Sequence, residues 1–157
     1  MYKYLLVGLL CLPGYLFAEE TVNEEDTMMV YRAKDDFETV KLNLETAITD
    51  RGVTINNTLH IQEMLNRTGK DLGFPNPVYL KAAALEFCSA LFAHRMMQAD
   101  PANIAACPLT ITVYVTAAEP KQVYVAFRKP RLMKSSVALA KELEEWLRGI
   151  VHDAVTE

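Results

Sequence analysis

The sequence predicts an α+β fold: a largely antiparallel sheet covered on one face by helices, closing with a long C-terminal helix. Three observations predict it. Leu109 to Thr116 (LTITVYVT) and Gln122 to Phe127 (QVYVAF) alternate and are rich in β-branched residues, and the turn Ala117 to Pro120 joins them as a hairpin would. Val137, Ala140, Leu143, Leu147, Ile150 and Ala154 lie on one helical face that Trp146 and Val151 widen. So broad a stripe packs on a sheet more readily than it forms a coiled-coil seam. The remaining patterns complete the order β-α-β-α-(β)-α-β-β-α, which suits helices laid on one side of an antiparallel sheet.

In chain order, the first 18 residues read as a signal peptide. Lys3 is the basic start, Tyr4 to Leu12 the apolar run, Pro13-Gly14 a break, and Ala18 the small residue before cleavage. Leu10 before Cys11 lacks the small side chain of a lipoprotein signal. Residues 19–26 form a flexible acidic lead, and 27–157 make a single domain. Thr27 to Ala33 reads as the first strand. Asp36 to Arg51 is a helix, capped by Asp35 or Asp36 and stopped by Gly52. Val53 to Leu59 reads as a strand. Ile61, Met64 and Leu65 mark a short helix ending at Gly69, and Gly73, Pro75 and Pro77 make the next stretch a loop. In Val78 to Cys88 the three alanines favour helix, so strand character is placed only near Leu85 to Cys88. Ser89 caps a helix from Ala90 to about Ala99 that is apolar on most sides and therefore buried. Ser135 or Ser136 caps the last helix.

With 157 residues, 51% apolar and 23% charged, the chain can bury a substantial core. Its net charge is −4, and −5 once residues 1–18 are removed. No basic stripe appears, so nucleic acid is not an expected partner. After signal cleavage no membrane-spanning segment is expected. The anticipated location is exported, periplasmic or secreted. Removal of Cys11 leaves Cys88 and Cys107, an even count for an oxidising compartment.

The pieces Gly52-Val53-Thr54-Ile55, His60-Ile61-Gln62-Glu63-Met64-Leu65, Phe87-Cys88-Ser89-Ala90, Ala106-Cys107-Pro108-Leu109 and Val123-Tyr124-Val125, with the long final helix, resemble the DUF302 family over about Val30 to Val155. The resemblance implies a β-α-β fold of the TATA-binding-protein-like class and a homodimer. It implies no defined activity. The chain resembles the exported subset of the family that carries the cysteine pair.

Cys88 and Cys107 are the first candidate site. They read as a disulfide closing a loop of about 20 residues, worth roughly 3 kcal/mol on the chain-entropy view. The alternatives are a redox-active or metal-binding thiol pair, or two separate buried thiols. No Cys-x-x-Cys spacing occurs. His94, Met96 and Met97 are soft ligands that suit Cu(I) or a haem axial position. The favoured reading is a satisfied core histidine with packing methionines, so no metal and no cofactor is assigned. His60 and His152 read as structural or surface residues. Tyr79, Tyr114, Tyr124, Phe127 and Arg128 are candidates to line a groove between the sheet and the final helix, although sheet packing explains them equally. No Gly-x-Ser-x-Gly, P-loop or zinc spacing is present, and Glu142, Glu144 and Glu145 read as a solvated helix face.

The chain is therefore expected to be an exported, non-enzymatic binding domain for a small apolar ligand, a cofactor or a partner protein, held between sheet and long helix. The alternative is a periplasmic redox or metal/haem-handling protein using Cys88, Cys107 and His94 or a nearby Met.

Overall fold

The computed structural model describes residues 21–24, 27–133 and 136–156. The signal peptide expected over residues 1–18 lies outside them. Strands β1 (Thr21–Glu24), β2 (Met28–Ala33), β3 (Ile55–Leu59), β4 (Tyr79–Phe87), β5 (Leu109–Thr116) and β6 (Val123–Arg128) form one sheet in the order β1-β2-β6-β5-β4-β3. Every neighbouring pair is antiparallel. Helices α1 (Phe37–Thr49) and α4 (Val137–Thr156) lie against one face. α2 (Ile61–Gly69) follows the edge strand β3, and α3 (Ala90–Ala99) with a short 3-10 helix, Pro101–Ala106, connects β4 to β5.

The alternation in the hairpin strands explains the layering. Leu109, Ile111, Val113 and Val115 of β5, with Val123, Val125 and Phe127 of β6, point toward the helices. They meet Val40, Leu44 and Ile48 of α1 and Leu143, Leu147, Ile150 and Val151 of α4, all buried. Tyr31 stacks on Phe127, ring centroids 6.2 Å apart. This apolar layer supplies the main stabilisation, because each fully buried side chain of this size contributes about 1.5–3 kcal/mol.

The helix ends follow local chemistry. Asp36 accepts from the backbone N–H groups of Glu38 and Thr39 and from the Thr39 hydroxyl, so its carboxyl is held below its ordinary pKa, chiefly by Thr39. Gly52 adopts φ +69°, the left-handed position the sequence reserved for it. Arg51 donates to the Ala47 carbonyl at 2.7 Å and to Asp153 at 2.7 Å, tying the end of α1 to α4. A bidentate Arg95–Glu142 pair, at 2.6 and 2.7 Å, ties α3 to α4.

Three expectations change. β4 covers the whole of Tyr79–Phe87, not just its end. Its alanines do not make a helix, because the stretch hydrogen-bonds along both β3 and β5. Within the acidic lead, Thr21–Glu24 pairs with β2 as an edge strand with a bulge. α3 is one-sided rather than buried all round. Phe92 and Met96 face the core, while Leu91 is 64% exposed. The 3-10 helix follows from Asp100, whose carboxylate accepts from Ala102 N–H at 2.9 Å and starts a new turn at Pro101.

Candidate functional site

Among the described residues the space between the sheet and α4 is largely filled by the core, although Leu109, Phe127 and Leu147 reach the lining of the one cleft described below. The open volume lies on the other face. By register, that face carries three rows of side chains across β2, β6, β5 and β4: Met28, Arg128, Thr110 and Glu86; then Val30, Ala126, Thr112 and Ala84; then Arg32, Tyr124, Tyr114 and Ala82. The first two rows, Val30 apart, line a cleft of about 680 Å3. Ala84, Thr112 and Ala126 floor it, with Leu59 and Ile61 on one side and Ala102, Ala105, Ala106 and Pro108 at the end. Small side chains in the middle row create the depression, and bulkier ones on either side stand above it.

The end wall is built by Asn103, which sequence reading passed over. It is 3% exposed. Its Nδ2 donates to the Met96 carbonyl at 2.9 Å and its Oδ1 accepts from Met133 N–H at 2.7 Å. One buried amide thus joins α3, the 3-10 helix and the chain after β6. Asn-Ile inside a short alanine-rich turn gave no pattern to flag it; only the long-range partners do.

The groove candidates divide. Tyr79, Tyr114 and Tyr124 form a ladder on the open face, with Tyr79 edge-on to Tyr114 at 5.5 Å and Tyr114 stacked on Tyr124 at 5.3 Å. Burial, then the neighbouring Tyr79, Tyr124 and Glu119, push the Tyr114 hydroxyl above its ordinary pKa. Tyr124 donates to Glu119, and that hydrogen bond raises its pKa most. The three tyrosines are not among the residues that line the cleft, whereas Phe127 is, although alternation along β6 also sets it in the core. Arg128, exposed at the end of β6, lines the cleft with Lys129 and Arg131.

The cysteines do come together. Cys88 leaves β4 just before the Ser89 cap of α3, and Cys107 follows the 3-10 helix and precedes a cis Pro108. Their sulfurs are 2.8 Å apart and both half-buried. Burial, the hydrogen bond to Cys88 and the charge Cys88 carries when ionised push the Cys107 thiol up to about 12. Ala106 and Pro108, on either side of Cys107, both line the cleft.

The soft-ligand set does not assemble. Met96 is wholly buried and Met97 half-buried, whereas His94 is exposed rather than the core histidine expected. Four residues of a helix carry a side chain back to nearly the same face, but two carry it across. Among the described residues no cluster of three or more His, Cys, Asp or Glu side chains gathers as a metal site would. His60 and His152 lie beside Glu63 and Asp153 at the surface. Glu142 and Glu144 pair with Arg95 and Arg148.

Residues 29–154 match the family described as Domain of unknown function DUF302. The chain belongs to the DUF302 family. An uncharacterized conserved protein DUF302 from Bacillus stearothermophilus has a similar crystal structure, with a TM-score of 0.66 at 15% identity over 81% of this chain and 97% of that one. At that identity the likeness concerns the fold alone. No curated protein matches the sequence. No described helix is long and apolar enough to cross a membrane. The DUF302 domain thus accounts for the sheet and its helices, while the cleft and the thiol pair are read from this chain's own residues.

Proposed function

We propose that this DUF302 protein is an exported, non-enzymatic binding domain that holds a small, largely apolar ligand in the cleft on the open face of its sheet. The observation that carries the reading is the floor: a row of small side chains, Ala84, Thr112 and Ala126, beneath about 680 Å3 of space in an otherwise well-packed domain. That volume falls within the ordinary range for small-molecule sites. Export rests on Lys3, the apolar run Tyr4 to Leu12 and Ala18. N-terminal sequencing of protein recovered from outside the cytoplasm should begin at Glu19; a start at Met1 in the cytosolic fraction overturns it. Native mass spectrometry of freshly isolated protein tests the cleft directly, because a carried ligand adds mass that denaturation releases.

We further propose a homodimer. Leu72, Phe74 and Val78 on the segment after α2, with Leu80 at the start of β4, are exposed, and a second copy would cover them. Phe74→Glu should turn a dimer into a monomer by sedimentation; a wild-type monomer at high concentration ends this reading.

A redox role for the thiol pair is the second reading, favoured by the 2.8 Å contact between Cys88 and Cys107. That separation is short of nonbonded sulfur contact and beyond the ~2.05 Å of a disulfide. In exchange with a small-molecule disulfide, the two thiols would form one S–S bond and give up two electrons and two protons, while the acceptor's S–S bond breaks and it takes up both to leave as two thiols. Thiol titration with and without reductant separates the readings. Permanent oxidation in the isolated protein supports a structural staple; reversible cycling at a cellular potential supports the redox role. Metal analysis of the same sample tests a soft ion held by the two sulfurs.

A further inference from the structure

We infer that Cys88 and Cys107 form a redox switch on the cleft: closing their S–S bond fixes the end wall and raises the affinity for an apolar occupant. This rests on the cleft reading above and joins it to the thiol pair. Phe87 and Leu109 are the last partners in the ladder between β4 and β5. One step further, Cys88 would face Pro108, which has no N–H to donate, so the ladder stops there. The sulfurs of Cys88 and Cys107 meet just past that point, 2.8 Å apart. A bond between them closes a ring of chain from Cys88 to Cys107. Ala102, Asn103, Ala105 and Ala106 of the cleft lining all lie inside that ring, and Pro108 follows it directly.

The wall is thinly anchored. From Pro101 to Pro108 only Asn103 is buried, and its amide ties the turn to Met96 and Met133. The sulfur contact ties the far end of the same turn to the end of β4. A segment with so little burial opens at low free energy. In the reduced protein an occupant must order this wall as it binds, which weakens affinity; a bond that has already ordered it removes that cost. Neither cysteine lines the cleft, so the bond acts through the backbone at Ala106 and Pro108 and not by touching the occupant. The oxidant is a small-molecule disulfide. Cys88 and Cys107 give up two protons and two electrons and form one S–S bond, while the acceptor's S–S bond breaks to leave two thiols. By linkage, the occupant makes the protein's bond harder to reduce by the same factor.

The test uses decanol, an uncharged probe, on the protein in two states: oxidised by glutathione disulfide, with the bridge confirmed by mass, and held reduced by a phosphine. Binding is read from the amide NMR shifts of Ala84, Thr112 and Ala126. Oxidised protein should bind decanol at least tenfold more tightly than reduced protein, and its amides at residues 102–106 should exchange with deuterium more slowly. In glutathione buffers, saturating decanol should lower the midpoint potential of the pair by about 30 mV, the equivalent of tenfold for two electrons. The double variant Cys88→Ser, Cys107→Ser should bind decanol as the reduced protein does under both conditions; if it does not fold, the wild-type comparison decides alone. Equal or weaker binding by the oxidised protein overturns the switch and leaves the cleft reading standing. So does failure of the two thiols to bond to each other under glutathione disulfide. If decanol shifts none of the three amides in either state, the cleft reading itself falls and takes the switch with it.

Discussion

Cys107 and Asn103 show how much two side chains can set. In the reduced protein the Cys107 thiol is held protonated to about 12, against 9.0 for a free thiol. A group whose folded pKa is raised adds stability below the unfolded value and loses it as pH rises toward the folded one. Thermal stability of the reduced protein should therefore fall between pH 9 and about 12 more steeply than that of Cys107→Ser, and oxidised protein should lack this component. Melting curves across that window check it; parallel curves for reduced protein and variant contradict it. Asn103→Ala removes the partner of the Met133 N–H and one of the two donors to the Met96 carbonyl, which keeps the Asp100 N–H. A lost hydrogen bond to a buried side chain costs about 1–3 kcal/mol, so urea unfolding should show a loss of about that size. The cysteines were visible in the sequence as an even pair. Their contact was not, because nothing in a 19-residue separation says that a helix and a 3-10 turn fold back on themselves. Asn103 was invisible, since its role lies in partners 7 and 30 residues away.

Among the elements, those with strict periodicity were legible and those with mixed composition were not. β5, α1 and α4 each repeat a burial pattern that their sequence already displays. β4 reads wrongly in isolation, because Ala82, Ala83 and Ala84 favour a helix until two neighbouring strands claim their backbone. α2 is the contrasting case: a well-patterned helix that buries none of its residues. With so little burial its opening free energy must be low. Amides of α2 and of residues 70–78 should exchange with deuterium well before those of β5 and β6, as mass spectrometry of proteolytic fragments would show. Gly69 belongs to the same element. A Cβ there would stand 2.7 Å from the Phe74 carbonyl oxygen, whose neighbouring N–H donates back to Gly69. Gly69→Ala should hasten exchange in α2 further without altering the sheet.

The molecule as a whole is joined by α4, which reaches α1 through Arg51–Asp153, α3 through Arg95–Glu142 and the sheet through Leu143, Leu147 and Ile150. Trp146, the only tryptophan, lies against Phe87 of β4 and Phe92 of α3, so its fluorescence reports on this junction. Leu147→Ala should lower stability by about 2–5 kcal/mol, with tryptophan fluorescence and circular dichroism still changing together. Transitions that separate would mean that α4 unfolds apart from the sheet. The α+β class and the helical cover were readable because both depend on pattern. The open-face cleft was not, because which side of a sheet stays uncovered depends on where every connection crosses.

The strand order carries one more consequence. Ala33 pairs with Val123 and Met28 with Arg128, partners 90 and 100 positions apart. A chain growing from its N-terminus therefore has β2 finished long before β6 exists to receive it. Contacts this distant form slowly, since a long loop must close first. Until then Met29 and Tyr31 stay in water, and the nascent polypeptide remains threadable for most of its synthesis.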